Sequence, residues 1–136
     1  QKEQHLLTAT DPSDFQFKSA MGLSCPDDAN CDAKYAGFFN QVYGAAKRYQ
    51  YYVRHESQYA YHAGALNYVR YNPNAGCGGS DVYIENKATA LLYIYTPYQP
   101  NEAALKAGAG EGDACSTYGN RNFAIIYNSM FGNPRD

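Results

Sequence analysis

Apolar and polar positions change period along the chain, and each change marks an element. Over residues 35–54, Phe38, Phe39, Val42, Tyr43, Ala45, Ala46, Tyr49, Tyr52 and Val53 recur at spacings of three and four. That spacing predicts an amphipathic helix. Lys47, Arg48 and Arg54 fall in its C-terminal half, where cations complement the helix dipole. Its length and apolar stripe mark it as a central, buried helix, with Phe39, Val42, Ala46 and Tyr49 as core; Phe39→Ala would then cost ~3–5 kcal/mol. Over 66–86 the pattern turns aromatic and β-branched, as Leu66-Asn67-Tyr68-Val69-Arg70-Tyr71 and Asp81-Val82-Tyr83-Ile84-Glu85. Between them lie Asn72-Pro73-Asn74-Ala75-Gly76 and Gly78-Gly79-Ser80, so the stretch predicts a β-hairpin whose long tip carries Cys77.

The helical period then returns. Asn86 or Thr89 opens a helix through Leu91, Leu92 and Tyr95 that stops before Pro97, and Asn101 caps a short helix ended by Gly108, Gly110 and Gly112. Residues 118–131 form a last helix with Phe123, Ile126, Tyr127, Met130 and Phe131 apolar. At the other end, residues 1–8 read as the end of a helix. Asp11-Pro12-Ser13-Asp14 is a capping loop, residues 15–22 are short helix or irregular, and residues 25–31 are a polar loop. The expected fold is mainly α with a small β-hairpin, an α+β chain forming a single domain over 1–136.

Cys25, Cys31, Cys77 and Cys115 are an even set in a small Tyr-, Asn- and Gly-rich chain, which fits a disulfide framework. Zinc fits less well: the five residues between Cys25 and Cys31 exceed knuckle spacing, and His5, His55 and His62 are scattered. Four cysteines allow three connectivities. The favoured one pairs Cys25 with Cys31 around a small loop and Cys77 with Cys115 across distant segments. Such pairing implies an exported protein.

The 136 residues suffice for one core, and the net charge of −2 gives no bulk attraction to nucleic acid or an anionic membrane. No apolar run approaches the roughly 18–20 residues that span a bilayer. Gln1-Lys2-Glu3-Gln4 is polar from the first residue, as in a processed chain or a piece of a longer one. There are 15 tyrosines and no tryptophan. Tyrosine offers a flat apolar ring with a polar tip, a combination that suits sugar-binding clefts, although most of so many must be structural.

Several usual catalytic signatures are missing: a Gly-rich phosphate loop, a nucleophile-elbow serine and a metal-binding histidine pair. With the thiols paired, the carboxylates are left, and most of these lie in polar loops as solvated charge. Glu3 differs, because it lies near a helix end that runs into Leu6-Leu7. A carboxyl at such a place, on the wall of a cleft and partly desolvated, suits a general acid for glycosidic cleavage. The competing reading is an exposed Glu on a frayed terminus.

Gln1-Lys2-Glu3-Gln4, Ala20-Met21-Gly22, Cys25-Pro26-Asp27 and Gly37-Phe38-Phe39-Asn40-Gln41-Val42-Tyr43 together resemble a group of exported actinobacterial cell-wall proteins, some labelled hemagglutinin. Tyr71-Asn72-Pro73-Asn74, Asn86-Lys87-Ala88-Thr89-Ala90, Tyr95-Thr96-Pro97-Tyr98-Gln99-Pro100-Asn101 and Tyr118-Gly119-Asn120-Arg121-Asn122-Phe123 extend the likeness over nearly the whole chain. The order of parts is also similar, more remotely, to the lysozyme and lytic-transglycosylase superfamily.

The resemblance implies a disulfide-stapled, lysozyme-like domain that lacks an upstream segment, with Glu3 as the catalytic acid. It makes Met21 and Gly22 the floor of the cleft. In transglycosylases Met-Gln usually follows; here Leu23-Ser24 follow, and Gln41 is the candidate substitute as a substrate contact. Tyr43, Tyr95 and Tyr98 are candidates to line sugar subsites, with core packing as the competing role. Asp11 and Asp14 are candidate second carboxylates or helix caps. The implied reaction cleaves the bond between N-acetylmuramic acid and N-acetylglucosamine in peptidoglycan. The partner is a glycan strand, no cofactor or metal takes part, no membrane insertion is implied, and the protein is secreted or held in the cell wall. The alternative is a non-catalytic wall-binding module or surface adhesin on the same scaffold.

Overall fold

A capping box opens the first helix. Ser13 Oγ accepts from the Gln16 amide at 3.3 Å, and the Gln16 side chain accepts from the Ser13 amide at 2.8 Å. Two orphan donors are satisfied reciprocally, and α1 (Asp14–Lys18) follows. The computed structural model describes residues 6, 8–25 and 29–133. The chain divides into two compact units, Gln1–Arg54 and His55–Asp136. The helix end expected over 1–8 lies largely outside the described residues, within which Leu6 is buried and Thr8 exposed.

The first unit is built on α2 (Phe38–Arg54), against which α1 packs. The predicted helix is present, but its buried face is not the predicted one. Gln41, Ala45 and Tyr52 are buried, whereas Phe39 is 71 % exposed, Ala46 is exposed, and Val42 and Tyr49 are half-buried. The face is set by what fits against the 19–23 segment. A Cβ on Gly44 would come within 2.7 Å of Leu23 Cδ2, so the glycine lets buried Leu23 approach the helix. Phe39 instead stacks on Tyr43 at 5.4 Å with the rings nearly parallel. Its truncation therefore belongs with ordinary surface substitutions, within ~0.5 kcal/mol.

In the second unit β1 (Ala65–Arg70) and β2 (Gly79–Ile84) form an antiparallel two-stranded sheet, with Leu66 opposite Tyr83 and Tyr68 opposite Asp81. Alternation puts Asn67, Val69 and Ile84 inside and leaves Leu66, Tyr68 and Tyr83 outside. Asn86 accepts from the Thr89 amide to start α3 (Lys87–Tyr95), and Asn101 accepts from the Ala104 amide to start α4 (Glu102–Lys106). α5 (Gly119–Phe131) ends at Gly132. Apart from the first residues, element bounds fall within a few positions of the expected ones, as mixed helix and small hairpin.

Both expected disulfides are present, Cys25–Cys31 and Cys77–Cys115. The second ties the hairpin tip to the segment before α5, where Thr117 Oγ1 also donates to the Tyr71 carbonyl at 2.9 Å. Its partners are 38 residues apart, so on loop entropy it stabilises by about 3–4 kcal/mol. The paired Cys77→Ser, Cys115→Ser variant should lose that amount in denaturant unfolding; an unchanged midpoint would contradict the assignment. No helix among the described residues is long and apolar enough to cross a membrane.

Candidate functional site

The Met21-Gly22 segment is a turn held from beneath by one amide. Gln41, fully buried on α2, accepts through Oε1 from the amides of Met21 (3.1 Å) and Leu23 (3.0 Å). Through Nε2 it donates to the carbonyls of Leu23 (2.8 Å) and Tyr35 (2.7 Å). Gly22, at the apex, takes φ +67 with open space where a Cβ would stand, and it is exposed. A left-handed residue without a side chain leaves the apex sterically open, while its N–H donates to the Ser19 carbonyl at 2.8 Å and its carbonyl accepts from the Cys25 amide at 3.4 Å. Ser24 is also left-handed, at φ 51, and its carbonyl accepts from the Asp32 amide at 2.9 Å, closing the neck of the Cys25–Cys31 loop.

This geometry alters the part expected of Gln41. Its amide is used internally, so it positions the turn and is not available as a direct sugar contact. Met21 is half-buried beside Gly22, and Tyr43, two residues along α2 from Gln41, is 57 % exposed on another face. Glu3, the expected acid, lies outside the described residues. Asp11 and Asp14 are exposed around the α1 cap, whose side-chain bond comes from Ser13.

Tyr95 and Tyr98 belong to the second unit, and both are half-buried. Tyr98 makes a parallel bridge to Arg70, and its carbonyl accepts from Asn120 Nδ2 at 2.8 Å. Nearby, Tyr61 and Tyr93 pack with ring centroids 5.9 Å apart. Burial pushes the phenol of Tyr93 up, and Tyr61 adds to it. Burial also raises Tyr61, with Tyr98 adding and Arg70 opposing. Both phenols thus stay neutral, hydrogen-bonding groups through the physiological range.

Polar staples that periodicity does not reveal fix this unit. Gln99, between two prolines, donates through Nε2 to Val69 O (2.8 Å), Ser80 O (3.0 Å) and Ser80 Oγ (2.9 Å), clamping both strands. Arg121 is buried and its guanidinium meets neutral acceptors: Nη1 donates to Ala104 O (2.8 Å) and Gly110 O (2.9 Å), Nε donates to Asn122 Oδ1 (3.1 Å), and the group lies 4.4 Å from the Tyr118 ring centroid. The available sequence signal was an arginine close to an aromatic on a helix's first turn.

Asp113 joins this network from the surface. Its Oδ1 accepts from Asn101 Nδ2 at 2.9 Å and from the Cys115 amide at 3.0 Å. The Asn101 bond, followed by those from Cys115 and Ser116, holds its carboxyl below the ordinary 3.8 despite an opposing desolvation. A depressed folded-state pKa adds stability above the unfolded pKa and loses it as pH falls through the folded value. Asp113→Asn should therefore flatten the acid limb of stability below the ordinary Asp range, read by denaturation across pH; an unchanged limb would contradict the linkage.

Among the described residues no cluster of three or more His, Cys, Asp or Glu side chains is arranged to hold a metal ion. Comparison with models of known families, with curated proteins and with solved structures finds no match to this chain.

Proposed function

We propose that this is an exported, lysozyme-like protein that cleaves peptidoglycan glycan strands, with Glu3 as general acid. The observation that carries the reading is the Met21-Gly22 turn. A buried amide spends its hydrogen bonds on holding an exposed, side-chain-free apex, an arrangement suited to a sterically open floor on which a sugar ring can lie. It coincides with the cleft-floor motif of the resemblance, and the two disulfides are compatible with export.

In this mechanism Glu3 protonates the glycosidic oxygen between N-acetylmuramic acid and N-acetylglucosamine as the bond breaks. An oxocarbenium-like centre forms. It is quenched by water with acetamido assistance, or by the muramic 6-hydroxyl, which gives the anhydro product of a lytic transglycosylase. The second reading is a binding module without turnover. It is favoured by Leu23-Ser24 at the place where a substrate-contacting Gln is usual, and by the internal use of Gln41. The test is incubation of the full-length protein with purified peptidoglycan. Soluble muropeptides support the enzyme; co-sedimentation without release supports the binding module.

A further inference from the structure

The His55–Asp136 unit holds a groove apart from the Met21-Gly22 turn. A groove of about 350 Å³ is lined by α3 and α5, with aromatic walls from Tyr93, Phe123 and Tyr127. The volume is near the small end of ligand-binding clefts, suited to one ring and not to a long strand. None of its described lining residues is charged, so it favours a neutral ligand. The polar groups of its lining residues are the amides of Asn120, Asn128 and Asn133 and the hydroxyls of Thr89, Tyr93 and Tyr127. Asn120 Nδ2 donates to Thr96 O and Tyr98 O, both at 2.8 Å, which fixes the amide and leaves Oδ1 as an oriented acceptor. The side chain of Asn128, exposed on the lower turns of α5, makes no hydrogen bond among the described residues.

We infer that this groove binds a neutral N-acetylhexosamine ring. The apolar face of the sugar packs on the aromatic wall, the acetamido N–H or a ring hydroxyl donates to Asn120 Oδ1, and the Asn128 amide donates to the acetyl carbonyl. Free carboxylated sugars are disfavoured, because the groove supplies no cation. The inference rests on the glycan-directed reading of the protein and extends it to a contact apart from the Met21-Gly22 turn.

The test is a heteronuclear NMR titration of the full-length protein with N-acetylchitotriose. Shifts at Asn120, Phe123, Tyr127 and Asn128 are expected. Asn128→Ala and Tyr127→Ala should each weaken binding roughly tenfold, the scale of one neutral hydrogen bond or one aromatic contact. Asn128→Ser, milder at an exposed site, serves if either variant fails to keep the wild-type circular dichroism. Shifts confined to Met21, Gly22 and Leu23, unchanged affinity in the folded variants, or no shifts at all would each overturn the groove. Peptidoglycan turnover separates the two ideas. Turnover without groove shifts removes the groove and leaves the enzyme, whereas groove binding without turnover removes the enzyme and leaves the groove.

Discussion

Glu3→Gln is expected to lower muropeptide release from purified peptidoglycan by at least ~10²-fold, because general acid catalysis commonly contributes ~10²–10⁴ in rate. Glutamine keeps the size of the side chain and its capacity to hydrogen-bond, but it has no proton to deliver to a departing sugar oxygen. Binding should survive, since no other side chain changes, and co-sedimentation of the variant with peptidoglycan provides that control. Unfolding midpoint and disulfide content should match the wild type. Release that continues at the wild-type rate removes Glu3 as the acid. A variant that loses both release and binding points instead to a structural role at that position.

The largest effect on stability is expected from Gln41→Leu. Leucine fills the volume but leaves the amides of Met21 and Leu23 and the carbonyls of Leu23 and Tyr35 without their partner. A buried polar group left unpaired costs ~1–3 kcal/mol. With some of the four regaining water at the part-buried end, the expected loss is roughly 4–6 kcal/mol, in the range reserved for broken buried networks. Hydrogen exchange at the Met21 and Leu23 amides should accelerate with it. A loss below ~1 kcal/mol, with those amides still protected, would show that the turn is held by something else. In the binding assay the variant should also lose affinity, because the cleft-floor reading makes the turn depend on this amide.

How much of this was legible in the sequence differs from residue to residue. The Asn101 cap was legible, and for α3 the choice lay between Asn86 and Thr89, of which the structure uses Asn86; both asparagines accept from the third residue of their helix. The two disulfides were legible from spacing and from the weakness of the zinc alternative. The hairpin was legible because its period and turn chemistry change together. The buried face of α2 was not. An apolar periodicity ranks Phe39 and Val42 above a glutamine, yet Gln41 is the fully buried one, because hydrogen bonding across to residues 21–23 and 35 offsets its desolvation. Exposure of Phe39 and Tyr43 follows from the same rotation.

The candidate site was legible in part. Met21-Gly22 carried a motif, and the structure adds the left-handed apex and its support. The sequence could propose Gln41 as a functional glutamine, but only three-dimensional partners distinguish a group open to a ligand from one that holds a loop in place. Arg121 and Gln99 were invisible for a similar reason, since their partners are carbonyls, which every sequence contains. Asn120 and Asn128 were equally invisible as a pair: both look like ordinary helix-surface amides until α3 is placed opposite.

Whether the protein is a muramidase is decided by the chemical identity of what the full-length protein frees from purified peptidoglycan, determined by mass spectrometry. Soluble disaccharide-peptides cut between N-acetylmuramic acid and N-acetylglucosamine are expected, with reducing or anhydro muramic ends that vanish with Glu3→Gln. Free peptides released from intact glycan strands, or cuts on the other side of N-acetylmuramic acid, would contradict it.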